Sequence, residues 1–215
     1  PFDIDLEYVQ RMMAWLLFVP PDTVAGRHAM QLGLGAGAIT KFCYKKLRMT
    51  CTAVEINPRV ADVCQAWMRL PPQDERLRVV IADAAREIQD SQWLGTVDAL
   101  AVDLYDEDAA GPVLDSEDFY ADCRRLLTDE GCMTVNLFGR TASFERSLKH
   151  LGEAFGAEAL WAFKPTREGN TVVLAQRQPS RPKRAELQAR AEAIQARWEL
   201  PATKWLRVFK PVAKE

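Results

Sequence analysis

Nothing in the 215-residue sequence approaches the ~20 consecutive apolar residues that a membrane-spanning helix needs. The apolar stretch at residues 12–20 is too short, and acids precede it, so neither a span nor a signal peptide is expected. Charge of one sign is not in excess either. A net charge of −2 gives no general case for nucleic acid or an anionic membrane as partner. Cysteine is scarce and unpatterned: five residues, at 43, 51, 64, 123 and 132, with no CxxC spacing. That pattern fits a reduced, cytoplasmic protein without a zinc site, and no metal is expected. Histidine is rarer still. His28 and His150 have no neighbours in sequence that suggest a triad or a metal, and each is read as structural. Repeats and low-complexity tracts are missing. The six tryptophans are scattered, and Trp93 is read as packing rather than as a lid over a base. The chain begins at Pro1 rather than Met, so removal of an upstream segment is expected.

What is present begins with 48% apolar residues, enough for a sizeable core in one large domain or one domain with appendages. The most informative stretch is His28-Ala29-Met30-Gln31-Leu32-Gly33-Leu34-Gly35-Ala36-Gly37-Ala38. An apolar run ends in three alternate glycines, and a helix-compatible segment follows. Glycines allow a tight strand-to-helix turn and close approach of a ligand. About twenty residues on, Thr52-Ala53-Val54-Glu55-Ile56 ends a second apolar run in a carboxylate. An acid there can accept hydrogen bonds from both ribose hydroxyls. Gly33, Gly35, Gly37 and Glu55 thus describe a pocket for a nucleoside or nucleotide; the competing reading is an ordinary glycine turn beside a surface Glu.

Helical periodicity covers residues 5–19 and stops at Pro20-Pro21. Strands and helices then alternate. Strands are expected at 28–33, 51–56, 77–82, 97–104 and 131–138, and helices at 36–47, 58–69, 84–91, 116–128 and 141–154. Pro58 suits a first helical turn with Asn57 as cap, and Ser116 before Glu117 and Asp118 is another helix start. Gly131 is read as a helix stop. The strands are continuous apolar runs, as in a parallel sheet covered on both faces. Residues 158–164 and 171–176 are two strand-like runs with no room for a helix between them, so an antiparallel hairpin at the sheet edge is expected. The fold class is therefore α/β: a Rossmann-like, mostly parallel, seven-stranded sheet closed by a C-terminal antiparallel hairpin, of the class I methyltransferase type. The expected organisation is an N-terminal helical segment (1–27), a nucleoside-binding catalytic domain (28–178) and a C-terminal helical extension (179–215), with residues 180–200 a charged, Ala-rich helix packed outside.

Ligands of open α/β sheets bind beyond the carboxyl ends of the strands. Asp83 follows the third strand, where it can accept an adenine amine, cap the next helix, or do both. Asp103 closes the fourth strand, and Asp106 follows three residues later. Asp98, at the opposite end of that strand, is read as solvated. The stretch from Asp103 to Asp118 holds seven acids (Asp103, Asp106, Glu107, Asp108, Asp115, Glu117 and Asp118) and no Lys or Arg. A solvated loop accounts for the last two but not for an acid that closes a buried strand. Such a loop favours a cationic co-substrate and repels phosphates, which argues against a dehydrogenase, although Gly33-x-Gly35-x-x-Ala38 would satisfy a dinucleotide fingerprint.

Residues 8–139 resemble the spermidine synthase-like proteins of the class I S-adenosylmethionine-dependent transferase superfamily. The resemblance rests on Leu32-Gly33-Leu34-Gly35-Ala36-Gly37, Ala53-Val54-Glu55-Ile56-Asn57-Pro58, Val79-x-x-Ala82-Asp83-Ala84, Asp103-x-x-Asp106, Gly111-Pro112, Phe119-Tyr120 and Leu127-x-x-x-Gly131. It implies S-adenosylmethionine or its decarboxylated form as co-substrate, held by the glycine turn, Glu55, Asp83, Ala84 and Asp103. It also implies a small cationic amine bracketed by the catalytic acids Asp103 and Asp106, and it admits a homodimer. The sequence departs from the family in places. Ala36 stands where the synthases carry Asp, Tyr8-Val9-Gln10 replaces Tyr-x-Glu and Glu107 replaces a Pro; the family's N-terminal β-domain is expected to be absent or removed. Val135-Asn136-Leu137 reads like the methyltransferase branch. Three readings stay open: aminopropyl transfer to a diamine such as putrescine, methyl transfer to an amine or protein, and an inactive nucleoside-binding relic. In either transfer a carboxylate that binds an ammonium and takes its proton contributes ~10²–10⁴-fold. Asp103 is the candidate base and Asp106 the positioning acid.

Overall fold

The computed structural model describes residues 2–105, 114–138 and 141–213. Asp106, Glu107 and Asp108 lie outside the described residues. Among the described residues eight strands form one sheet: β1 (His28–Leu32), β2 (Thr50–Glu55), β3 (Leu77–Ile81), β4 (Val97–Val102), β5 (Leu127–Phe138), β6 (Leu160–Phe163), β7 (Asn170–Gln176) and β8 (Phe209–Pro211). Their order is β3-β2-β1-β4-β5-β7-β6-β8. The first five strands pair in parallel, whereas β7 pairs antiparallel with β5 and β6, and β8 antiparallel with β6. The chain runs outward from β1 to β3, then returns to place β4 on the other side of β1. That reversal opens a crevice at the carboxyl ends of β1 and β4.

The helices are α1 (Glu7–Arg11), α2 (Ala38–Lys45), α3 (Pro58–Ala66), α4 (Ala84–Glu87), α5 (Glu117–Leu126), α6 (Thr141–Phe155), α7 (Arg184–Trp198) and α8 (Ala202–Trp205). Both sheet faces are covered. On one face α2, α7 and the N-terminal segment meet alternate strand residues such as Ala29, Cys51 and Leu174. On the other, α5 and α6 meet Met30, Leu32, Leu100 and Val173. Local chemistry sets the helix starts. Asn57 accepts from the Arg59 N–H with Pro58 behind it, and Ser116 accepts from the Phe119 N–H beside Glu117 and Asp118.

Five features differ from the sequence expectation. The helix at 5–19 shortens to α1, followed by 3-10 turns at Ala14–Phe18 and Pro21–Gly26. Residues Met12 to Leu17 are at most 2% exposed, so this apolar run has no polar face to present and winds tightly through the core. The helix at 84–91 ends at Glu87, because Asp90 caps a separate turn through the Gln92 N–H. Strand β5 begins at Leu127, so Gly131 lies inside a strand. A Cβ there would sit 2.8 Å from the Val97 carbonyl, beside a register shift between Val97 and Ala99. Finally, β8 lies outside the hairpin and makes the sheet eight-stranded. Its three residues, one of them Pro, carry no strand periodicity. Asp98 is not solvated: it accepts from Arg27, the His28 N–H and the Thr128 hydroxyl, tying three strand starts together.

The edge strand β8 is held by aromatic packing. Phe209 stacks on Phe163 with centroids 4.4 Å apart and meets Trp161 at 5.3 Å. Phe209→Ala should therefore cost ~3–5 kcal/mol, read as a lower urea midpoint; a change below ~1 kcal/mol would mean that β8 contributes no stability.

Candidate functional site

A cleft of about 500 Å³ opens at the carboxyl ends of β1, β2, β3 and β4. Gly33, Gly35, Glu55, Asp83, Ala84 and Asp103 all line it, together with Tyr8, Ile56, Leu104, Tyr105 and Leu114. The structure thus brings together six sequence-expected residues. Gly37 does not line the cleft. It sits at the N-cap of α2 with φ 67°, a turn conformation that glycine adopts without penalty. Asp106 is outside the described residues.

Gly33 has φ 84°, and a Cβ there would fall inside van der Waals contact of the Asp103 backbone carbonyl. Two backbone bonds, Gly33 N–H to Val54 O (2.9 Å) and Asp103 N–H to Leu32 O (3.0 Å), lock the ends of β1, β2 and β4 together. Glu55 is 8% exposed. Its Oε2 accepts from the Leu34 N–H at 3.0 Å and its Oε1 from the Asn57 N–H at 2.9 Å. Glu55 is thus a strut for the glycine turn, and each oxygen keeps a lone pair for a further donor. Asp83 caps α4 through the Ala85 N–H at 2.9 Å, so the cap and the cleft lining coexist.

Asp103 is held by two side chains from distant parts of the chain. Its Oδ1 accepts from Asn136 Nδ2 at 3.0 Å, and its Oδ2 accepts from the Tyr8 hydroxyl over a longer 3.3 Å. Burial pushes its carboxyl pKa up, while these two hydrogen bonds pull it down. Burial, then the Asp103 charge, pushes the Tyr8 phenol up to about 12. Tyr105 donates to the Asn136 carbonyl at 2.6 Å and accepts from the Phe138 N–H at 2.8 Å, and burial raises its pKa as well. Tyr8, Tyr105 and Asn136 are site residues to which the sequence reading gave no role; the signals were Tyr8 beginning the departed Tyr-x-Glu match and Asn136 within Val135-Asn136-Leu137.

Neither Ala36 nor Gln10 lines the cleft. Ala36 lines a separate hollow with Asp3, Asp5 and Lys41, and Gln10 donates to the Ile4 carbonyl at 2.7 Å. Lys41, beneath the turn, donates to the Met68 carbonyl at 2.7 Å, and burial lowers its pKa. Cys64 donates to the Gly35 carbonyl at 2.8 Å, and burial raises its thiol pKa. Both histidines are structurally bonded. His28 lies against Thr96 O and Thr52 Oγ1, and His150 Nδ1 against Asp115 O. Trp93 is buried at the far end of the sheet, near His28. Among the described residues no group of three or more His, Cys, Asp or Glu is placed to hold a metal ion. No helix among them is long and apolar enough to cross a membrane.

The switch-point cleft, with a glycine turn and acids at successive strand ends, sits in a Rossmann-like fold of the class I S-adenosylmethionine-dependent methyltransferase type. Human methyltransferase-like protein 13, solved in complex with SAH, has a similar fold, with TM-score 0.80 and 23% identity over 91% of this chain and 93% of that one. A probable spermidine synthase from Corynebacterium glutamicum is also similar, with TM-score 0.77 and 18% identity over 99% of this chain and 77% of that one. In sequence, residues 23–184 match the spermine/spermidine synthase domain. The polyamine aminopropyltransferase of Chromobacterium violaceum is 30% identical over 202 residues, 93% of this chain and 75% of that protein. Its counterpart in Neisseria meningitidis is 29% identical over 196 residues, 90% and 72%. The chain belongs to the spermine/spermidine synthase domain family and is a transferase.

Two outcomes are expected of this geometry. Gly33→Ala meets both the strained φ and the Asp103 carbonyl, so it should destabilise the fold by more than the ~1 kcal/mol of a simple left-handed penalty, seen in thermal melts; an unchanged melt would show that the turn can yield. The second concerns pH. The folded-state pKa of Asp103 lies above its ordinary 3.8. Its contribution is therefore fully present below the ordinary carboxylate range and lost as pH rises through the folded pKa. In urea titrations Asp103→Asn should be less destabilised than the parent protein on moving from acid to neutral pH; parallel pH dependences would contradict this.

Proposed function

We propose that the chain transfers an aminopropyl group from decarboxylated S-adenosylmethionine to a diamine such as putrescine. The observation that carries this reading is Asp103: a carboxylate at the switch point, held by Tyr8 and Asn136 on the same cleft wall as Glu55 and Asp83. The nucleoside would lie over Gly33 and Gly35, its ribose hydroxyls donating to Glu55 and its adenine amine to Asp83. Ile56, Ala84 and Leu114 offer apolar surface to the base. The absence of a side chain at Gly35, where a Cβ would stand in open space on the cleft wall, supports this fit, because the turn backbone can be approached closely there.

An alkylamine arrives protonated, with a pKa near ~10 like that of Lys. Asp103 would bind the ammonium and accept its proton. A pKa raised by burial suits this task, because a base works best when its pKa nears the working pH. The freed nitrogen lone pair attacks the carbon next to the sulfonium. A C–N bond forms, the C–S bond breaks, and its electron pair stays on sulfur as methylthioadenosine leaves. Asp106 is proposed to hold the second amine of the diamine. Residues 28–178 are proposed as the catalytic unit.

Methyl transfer from S-adenosylmethionine to an amine or protein is the second reading. It is favoured by Ala36 and Gln10, which leave no carboxylate at the two positions where the synthases carry one.

Separate assays for methylthioadenosine and S-adenosylhomocysteine distinguish the two transfers. With decarboxylated S-adenosylmethionine and putrescine, methylthioadenosine should form, and Asp103→Asn should slow it by ~10²-fold or more with nucleoside affinity nearly unchanged. Glu55→Gln should weaken nucleoside binding about tenfold by calorimetry, the loss of roughly one charged hydrogen bond. S-adenosylhomocysteine as the sole product would replace the first reading with the second, and no product with any amine would leave a nucleoside-binding relic.

A further inference from the structure

Asn136 is 3% exposed and stands on β5 with its side chain between two partners. Its Nδ2 donates to Asp103 Oδ1 at 3.0 Å, and its Oδ1 accepts from Asn170 Nδ2 at 3.1 Å. Tyr105 fixes the backbone of the same residue by donating to its carbonyl. Asn170 is the first residue of β7, placed opposite Phe138 in the antiparallel register, and its own backbone is held by Thr166.

An amide has a donor end and an acceptor end, and rotation by half a turn exchanges them. With the donor end toward Asp103, the acid is stabilised as a carboxylate. With the acceptor end toward it, the acid must keep its proton to make the bond. Whatever fixes the far end of Asn136 therefore sets the protonation state of Asp103. Among the described residues only Asn170 is bonded to that far end. We infer that Asn170 is a positioning residue: by donating to Asn136 Oδ1 it aims the Asn136 amide hydrogens at Asp103 and keeps that acid ready to accept a proton. The titratable groups that face Asp103 among the described residues are the phenols of Tyr8 and Tyr105, with Glu55 and Asp83 elsewhere in the cleft. Neither phenol ionises near neutrality, so the Asn170–Asn136 relay is the adjustable part of this environment.

The functional meaning rests on Asp103 being the base, but the test does not. In ligand-free protein, the carboxyl carbon of Asp103 is followed by carbon NMR through a pH titration, with the signal assigned by its loss in Asp103→Asn. Asn170→Ala removes the donor at a half-buried strand start and leaves the backbone bonds to Thr166 intact. The Asp103 midpoint should move upward by about one pH unit, the scale of one hydrogen bond to a charged form. Asn170→Gln restores an amide donor and should bring the midpoint at least halfway back. An unmoved midpoint in Asn170→Ala, with only a lower melting temperature, would overturn the inference and leave Asn170 a structural residue. If the protein turns over, the acid limb of its rate profile should move by the same amount in Asn170→Ala while the KM for the nucleoside stays constant; a limb that does not follow the midpoint overturns the relay to catalysis. A moved midpoint in protein that transfers no group keeps the relay and removes the aminopropyl reading, so the two failures are separate.

Discussion

The close passage of β1 against β4 is the constraint on which the site depends. The Asp103 carbonyl occupies space that any side chain at residue 33 would need, so the two strand ends can meet only because residue 33 is glycine. That contact fixes the direction in which Asp103 leaves β4. It also fixes where the turn presents Leu34, whose N–H reaches Glu55. Three strands are thereby referenced to one point, and the acids at their ends face one volume. A looser junction would leave each acid on an independent loop.

The electrostatics follow from that geometry. Glu55, Asp83 and Asp103 line the cleft, and among the described residues none of them is in an ion pair. Their oxygens are satisfied instead by neutral donors: backbone N–H groups for Glu55 and Asp83, and Tyr8 and Asn136 for Asp103. Neutral donors hold a carboxylate in place without cancelling its charge. The cleft remains attractive to a cation, at the cost of burying Asp103, which its raised pKa records. An arginine beside Asp103 would have made the acid easier to bury and useless to an ammonium.

Much of this was legible in the sequence, for identifiable reasons. Strands buried on both faces read as continuous apolar runs, and glycines at alternate positions mark a tight turn, so β1 to β5 and the ligand end of the sheet could be placed. The acids Glu55, Asp83 and Asp103 were visible because each closes an apolar run. The partners of Asp103 were not. Tyr8 lies 95 positions away and Asn136 lies 33 away, and such contacts are made by topology rather than by local pattern. The packed segment Met12–Leu17 misled because helical periodicity has no meaning for a run buried all round. Strand β8 was hidden because its stability comes from Phe163 and Trp161, neither of them nearby in sequence.

The antiparallel closure of the sheet has a consequence for the site beyond shape. Had β7 run parallel to β5, it would meet the cleft with its carboxyl end, after a crossover helix. Running antiparallel, it starts at the cleft end, immediately after the turn at Thr166 and Gly169. Its first residue, Asn170, lies opposite Phe138, and the Asn170 side chain reaches back to Asn136, two residues before Phe138 and on the same face of β5. The donor at the head of the hairpin is therefore held by the ladder of β5 and β7, among the most completely buried strands of the sheet, and not by a surface loop. A rigid origin for that hydrogen bond is what lets a residue two amides from the cleft influence an acid inside it. The hairpin that distinguishes this fold from an all-parallel dinucleotide sheet is thus also the element that supports its central carboxylate from behind.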